Sequence, residues 1–219
     1  MPESNSYALM AQIQALGIEP VRLGIARDDP DELARCLRQG LEYDVLLVSG
    51  GSSVGVHDHV RPTLAALDVE MHFWRVEMKP GHPLAFGTRG GRLVFGLPGN
   101  PVSSMVCFEQ FVLPALRRRM GHAKLFRRAV VATLAQPVRH QPGRAEFVRV
   151  TLSADAAGRL HARATGPQSS GNLVSMARAD GLLVVPQDSE GLAAGAAVQV
   201  QLFDASMFQE VSGFMEVAS

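Results

Sequence analysis

Residues 44–58 read DVLLVSGGSSVGVHD, and the reading of this stretch decides the fold class. Val45-Leu46-Leu47-Val48 is a short, wholly apolar run with two β-branched residues, the pattern of a strand buried on both faces, as in a parallel sheet. It ends in Ser49-Gly50-Gly51-Ser52-Ser53-Val54-Gly55, whose glycines permit backbone conformations and a close ligand approach that a Cβ would block. Serine hydroxyls and backbone N–H groups after such a strand make an anion cradle. In open α/β sheets ligands bind beyond the carboxyl ends of the strands. The loop has neither a Gly-Lys-Ser/Thr continuation nor a GxGxxG pattern, which separates it from the common nucleotide loops.

A glycine-rich turn alone is also an ordinary connector, and a second loop of the same kind tips the balance toward a site. Arg92-Leu93-Val94-Phe95 runs into Gly96-Leu97-Pro98-Gly99-Asn100-Pro101. Asn100 suits an N-cap and Pro101 the first turn of a helix predicted to reach Met120, with a kink at Pro114. A proline-stiffened loop feeding a helix start again suits an anion.

Upstream, Ser4 or Asn5 can cap a helix carrying Leu9, Ile13 and Leu16, and Gly17 ends it. Val21, Leu23 and Ile25 alternate as a strand. Asp29 and Pro30 then open a second helix with Leu33, Cys36 and Leu37 as its buried stripe, which makes a β-α-β unit. After the glycine loop, Val60 to Leu67 reads as a helix and Met71 to Met78 as one strand. Leu84–Gly87 and Arg92–Phe95 form a hairpin around Thr88-Arg89-Gly90-Gly91. Beyond a polar connector the pattern changes: Val130–Leu134, Phe147–Leu152, Leu160–Ala164, Leu182–Val185 and Val198–Phe203 are short β-type runs between turn residues. The expected architecture is α/β, with a mostly parallel sheet sandwiched by helices (residues 1–122), followed by a small all-β barrel (residues 123–219).

Composition narrows the function classes. The chain has 219 residues, 47% hydrophobic and 19% charged, so a packed core is expected. Basic and acidic residues both total 21, which argues against a nucleic-acid surface. No apolar run reaches membrane-span length and the polar start is no signal peptide, so a cytoplasmic protein is expected. Cys36 and Cys107 fit buried free thiols. Lysine occurs only at Lys79 and Lys124, every other basic side chain being arginine, so the Lys of Lys79-Pro80-Gly81 stands out.

SGGSSVGVHD, FWRVEMKPGHPLAFG and FGLPGNPVSS, in this order, resemble the molybdopterin molybdotransferases, including the E domain of gephyrin. The resemblance runs from about Asn5 to Met120 and more weakly through the β-rich remainder. It implies a role in molybdenum cofactor biosynthesis: molybdate is inserted into adenylated molybdopterin with release of AMP. It implies that Asp28 and Asp58 handle metal or molybdate and that Asp58, Lys79 and Asp28 are catalytic; hard carboxylate oxygens beside an anionic ligand make Mg2+ the expected cofactor, held by Asp28 and Asp58. It implies a ligand surface made of Ser49, Gly50, Gly51, Ser53, Gly55, Arg75, Pro98, Gly99, Asn100, Pro101 and Ser103. Ser52 stands where the family usually has Val. Family members also carry a long N-terminal half, part of which covers the partner's pterin site in a dimer, so a homodimer and an N-terminal-half partner are implied.

Several side chains have plainer readings. Asp58 can cap the helix from Val60, His57 and His59 lack a third metal ligand at suitable spacing, and Arg117–Arg119 suit a solvated helix end. Ser169-Ser170-Gly171-Asn172 reads as a turn that could also approach the ligand. The functional alternatives are a non-catalytic molybdopterin- or nucleotide-binding module and a scaffold.

Overall fold

Residues 3–26, 29–50 and 59–203 are described by the computed structural model, and the chain divides into two units. One comprises Met1–Phe126 with Ser169–Leu173, the other Arg127–Gln168 with Val174–Ser219.

In the first unit, helix α1 spans Asn5–Gln14. Its first turn is held by Glu3, whose Oε1 accepts from the Ser6 amide at 2.7 Å, and neither Ser4 nor Asn5 caps it with a side chain. Helix α2 (Pro30–Gly40) begins as its sequence demands: Asp29 Oδ1 accepts from the amides of Asp31 and Glu32, both at 2.9 Å, and Pro30 fills the first turn. Strand β1 is Val45–Ser49 and helix α3 is Val60–Ala66. Strands β2 (Glu70–Phe73), β3 (Met78–Lys79), β4 (Ala85–Arg89) and β5 (Arg92–Leu97) follow.

The main sheet has the order β1-β5-β4-β2. β1 and β5 are parallel, with Val45 opposite Leu93 and Ser49 opposite Leu97. β4 pairs antiparallel with β5 and β2, because β4 and β5 close a hairpin through Gly90 and Gly91, both at positive φ. The sheet is therefore mixed.

Two expectations are corrected. Among the described residues, 18–26 join no strand ladder: Leu23 packs against the core of α2 and β1, but no neighbouring strand lies alongside to take up the backbone groups. The β2 register shifts between Met71 and Phe73 and the run Met71–Met78 breaks after Phe73, where Trp74 packs against the core of α3, its ring 5.1 Å from the Arg61 guanidinium.

The helix expected from Pro101 to Met120 is found in three pieces: α4 (Pro101–Cys107), a π-helical turn (Phe108–Val112) and α5 (Leu113–Arg119). Pro114 has no N–H to donate to the preceding turn, and the wider π turn accommodates that missing bond. Leu46 and Val94 face the core shared by α2 and α3, while alternation sends Phe95 and Leu97 to the other face of the sheet, where α4 lies against β5. Gly40 lets α2 come close to β1, since a Cβ there would stand 2.4 Å from Leu46 Cδ1.

The second unit is a closed barrel. Strands β6 (Ala129–Leu134), β7 (Val138–Arg139), β8 (Ala145–Ala154) and β9 (Leu160–Ala164) precede helix α6 (Leu173–Ala177). Strands β10 (Gly181–Val185), β11 (Gly191–Leu192) and β12 (Ala197–Leu202) complete it. The ladder runs β10-β12-β6-β9-β8, and β8 pairs with β10 to close the ring, removing free edges. Inward residues such as Leu134, Val148, Val150, Leu183 and Val200 form its core. Arg149, fully buried, donates from Nε to Ser175 Oγ at 2.7 Å, and its amide donates to Gln168 Oε1 at 2.9 Å. No helix among the described residues is long and apolar enough to cross a membrane.

Candidate functional site

The parallel register of β1 and β5 brings both motif loops to one sheet edge. Ser49 lies opposite Leu97, so the glycine loop and the Pro98–Pro101 loop leave adjacent strands at the same carboxyl end. Gly50 donates its amide to Leu97 O at 3.1 Å. A Cβ on Gly99 would stand 3.8 Å from Gly50 Cα, an ordinary contact distance that shows how closely the loops run.

Asn5 joins them. Its Nδ2 donates to Ser49 Oγ at 2.7 Å and to Gly99 O at 2.8 Å. The sequence offers Asn5 as a helix cap; the fold uses it as a bridge between positions 44 and 94 residues away in the chain.

Asn100 occupies the N-cap position of α4 but makes no side-chain cap. Its Nδ2 donates to Ser170 Oγ at 3.0 Å, and Val102 donates its amide to Ser170 O at 3.1 Å. A helix start leaves several amides without intrahelical partners, and Ser170 satisfies one that the sequence leaves open for an anion. The turn Ser169–Asn172 is therefore bonded to the second loop and to the start of α4 through Ser170. Ser104 Oγ donates to Pro98 O, locking that loop from inside the helix. Ser103 is 4% exposed and Pro98 is buried, so the accessible face is formed by Ser49, Gly99 and Asn100.

The Lys79–Pro83 turn is seated farther along α4. Gly81 lies at φ +117, and a Cβ there would meet Cys107 Sγ at 2.6 Å. Cys107 Sγ in turn points to Gly81 O at 3.5 Å. The base of the turn is clasped by Val76 and His82, through Val76 N to His82 O at 3.0 Å and His82 Nδ1 to Val76 O at 2.8 Å. Cys107 is six residues beyond Pro101, about 9 Å along the helix at its usual rise. Lys79 and Arg75 are both exposed. Burial pushes the Cys107 thiol up to about 12, which makes it an inert packing group.

Gly51, Ser53, Gly55, Asp28 and Asp58 lie outside the described residues. Among the described residues, no group of three or more His, Cys, Asp and Glu is placed to hold a metal ion. Asp29, next to Asp28, is committed to its helix cap.

Residues 1–118 match the family described as a probable molybdopterin binding domain. The chain belongs to the family of the probable molybdopterin binding domain. Residues 131–203 match the MoeA C-terminal region, domain IV. A molybdopterin molybdenumtransferase of a Nostoc species is 35% identical over 204 residues, covering 90% of this chain and 47% of its own length. Molybdopterin molybdenumtransferase 2 of Mycobacterium tuberculosis is 34% identical, covering 90% of this chain and 50% of its own length. The crystal structure of a molybdopterin biosynthesis MoeA protein from Pyrococcus horikoshii superposes with a TM-score of 0.74 at 31% identity, covering 90% of this chain and 47% of that one. A molybdenum cofactor biosynthesis protein from Pyrococcus furiosus gives 0.73 at 31%, covering 92% and 65%. The chain thus spans about half the length of the curated relatives it matches.

Proposed function

We propose that this chain takes part in molybdenum cofactor biosynthesis by binding adenylated molybdopterin across the edge where β1 and β5 end, as the pterin-binding part of a molybdopterin molybdotransferase. The observation that carries this reading is the Ser49–Leu97 register with Asn5 bridging the two loops. A dithiolene pterin phosphate and its nucleotide are anionic, and glycine- and serine-rich loops after parallel strands suit such a ligand.

In this reading Ser49, Gly50, Gly51, Ser53 and Gly55 receive one part of the ligand, and Pro98, Gly99, Asn100, Pro101 and Ser103 the other. Lys79 and Arg75 supply positive charge to phosphate oxygens, a role suited to exposed cations beside a rigid turn. Asp28 and Asp58 would hold Mg2+, whose hard oxygen chemistry favours one or two carboxylates with phosphate and water; bound there, the ion would neutralise charge on the breaking phosphoanhydride. In the overall reaction water adds across that phosphoanhydride, releasing AMP and leaving the phosphate on the pterin, while the two dithiolene thiols displace one oxygen of molybdate as water. Molybdate is a substrate in this scheme.

The decisive experiment titrates the chain with molybdopterin and with its adenylated form. Saturable binding that is lost when the two loops are altered supports the reading. Absence of binding to either form overturns it.

A further inference from the structure

We infer that the end of the first unit opposite the motif loops rests on an anionic lipid surface, held by cations around the end of α5 and anchored by Phe126. The chain carries equal numbers of basic and acidic residues, 21 each, yet no acidic residue occurs anywhere from Gln110 to Ala145. Charge is therefore segregated along the sequence, and the part of this run through Phe126 belongs to the first unit.

The fold gathers these cations in one place. Helix α5 ends in Arg117-Arg118-Arg119. Arg117 Nε donates to Lys124 O at 2.8 Å, which folds the connector back on the last turn of the helix. Arg119 Nη1 donates to Gly91 O at 2.8 Å, so the tip of the β4–β5 hairpin, with its exposed Arg92, lies alongside. Arg119 also pairs with Asp44 at 2.6 Å, and Glu42 stands two residues before that aspartate. Arg92, Arg117, Arg118 and Lys124 remain in excess over these acids. Leu93 donates its amide to Asp44 O at 3.0 Å, which places this cluster at the amino ends of β1 and β5. The motif loops leave the carboxyl ends, about 16 Å away at the usual strand rise over the length of β1. A surface held at the cluster leaves those loops open.

Shape and apolar content select the partner. Residues 118–124 are exposed without interruption, which makes a ridge rather than a recess. A ridge gives a peptide no groove to lie in, whereas a plane of lipid headgroups can meet it along its length. Phe126 is 75% exposed and Met120 46%. Apolar side chains standing among cations suit the boundary between headgroups and acyl chains, with the charges at the phosphates. A nucleic acid duplex would use the cations and leave the Phe126 ring in water. Each Lys or Arg near an anionic leaflet contributes about fivefold to binding, so a few of them with one aromatic anchor give reversible attachment. No described helix can span the bilayer, and the contact is with its surface. The inference is independent of the ligand site proposed above, and its test needs no activity.

The test is co-sedimentation of the full chain with vesicles of phosphatidylcholine alone and of phosphatidylcholine with phosphatidylglycerol. Binding is expected to the mixed vesicles only, and to fall steeply in about 1 M salt, where the screening length is about 3 Å. The double variant Arg118→Gln with Lys124→Gln should weaken it about 25-fold, and Phe126→Ser about tenfold; all three side chains are exposed, so circular dichroism should not change. Arg35→Gln with Arg38→Gln, which removes the same charge from the exposed face of α2, should have no effect. The inference is overturned if the mixed vesicles are not bound, if the α2 variant loses as much binding as the Arg118 and Lys124 variant, or if Phe126→Ser binds like the parent. It is also overturned if a short DNA duplex or a poly-glutamate peptide displaces the chain from the vesicles at equal charge concentration, since the surface would then take polyanions in general.

Discussion

Asn5 Nδ2 lies 2.7 Å from Ser49 Oγ and also reaches Gly99 O at 2.8 Å, so one amide group sets the spacing of two loops that the chain brings from distant positions. A carboxamide is suited to this task because it presents two donors at a fixed angle. Asn5→Ala should cost little stability, since neutral hydrogen bonds contribute about 0.5–1.5 kcal/mol each and these are exposed. Its effect on ligand affinity should be larger, about tenfold, because an unfixed loop must be ordered on binding at about 1–2 kcal/mol per backbone residue. Thermal melts and titration with adenylated molybdopterin check both; unchanged affinity would remove Asn5 from the site.

Lys79 and Lys124 form an internal control, being the only lysines in the chain. Both are exposed, so replacing either should leave the fold intact. Lys79→Ala should weaken binding of the pterin ligand about 10- to 100-fold, the size of a charge-assisted bond of about 1.5–3 kcal/mol, and Lys124→Ala should not. Calorimetry giving equal effects from the two variants counts against Lys79.

Binding should also depend on Mg2+. Carboxylates near an anionic ligand repel it unless a cation stands between them. Asp58→Asn should lower the Mg2+ dependence of binding, and ligand affinity indifferent to both changes would show that Asp28 and Asp58 do other work.

Cys107 provides a check on the packing beneath the Lys79 turn. Its thiol, ordinarily near 9.0, is pushed to about 12 by burial. The folded state thus holds the neutral thiol while the unfolded chain ionises at lower pH. This contribution is fully present below about pH 9 and is lost as pH rises from there toward 12. A thiol reagent at pH 8 should modify the half-buried Cys36 and leave Cys107 untouched until the protein unfolds. Equal labelling rates would mean that the Gly81–Cys107 contact opens readily.

Local chemistry explains which parts of this architecture can be read from the chain. The apolar run Val45–Val48, the Asp29-Pro30 helix start and the Gly90-Gly91 hairpin are each specified by neighbouring residues, and each is found. The five β-type runs of the second half also pair as a closed ring. Residues 18–26 alternate like a strand, yet a strand needs a partner, which a pattern of side chains does not supply. Asn5 looks locally like a cap because Asn favours helix starts, whereas its bonds go to Ser49 and Gly99. Ser170 carries no local signal for meeting Val102, and the burial of Arg149 runs against its type. Gly51, Ser53, Gly55, Asp28 and Asp58 lie outside the described residues and rest on the sequence alone.

Turnover is expected to separate from binding in this chain. It spans about half the length of its curated relatives, so groups those relatives hold elsewhere in their length are not supplied by it. Asn5, Ser104 and Ser170 hold Ser49 and the Pro98–Pro101 loop within the first unit, and the binding energy of such a surface does not require the rest. Rate, in contrast, depends on groups positioned around the reacting phosphate and on exclusion of water, which strengthens every charge interaction in the site. The isolated chain should therefore bind adenylated molybdopterin with little or no release of AMP when molybdate is added. AMP release is followed with the chain alone and with the unspanned portion of the Nostoc relative supplied as a separate polypeptide. A rise in rate only in the second case supports the division of labour, and full turnover by the chain alone would show that its own residues suffice for the chemistry.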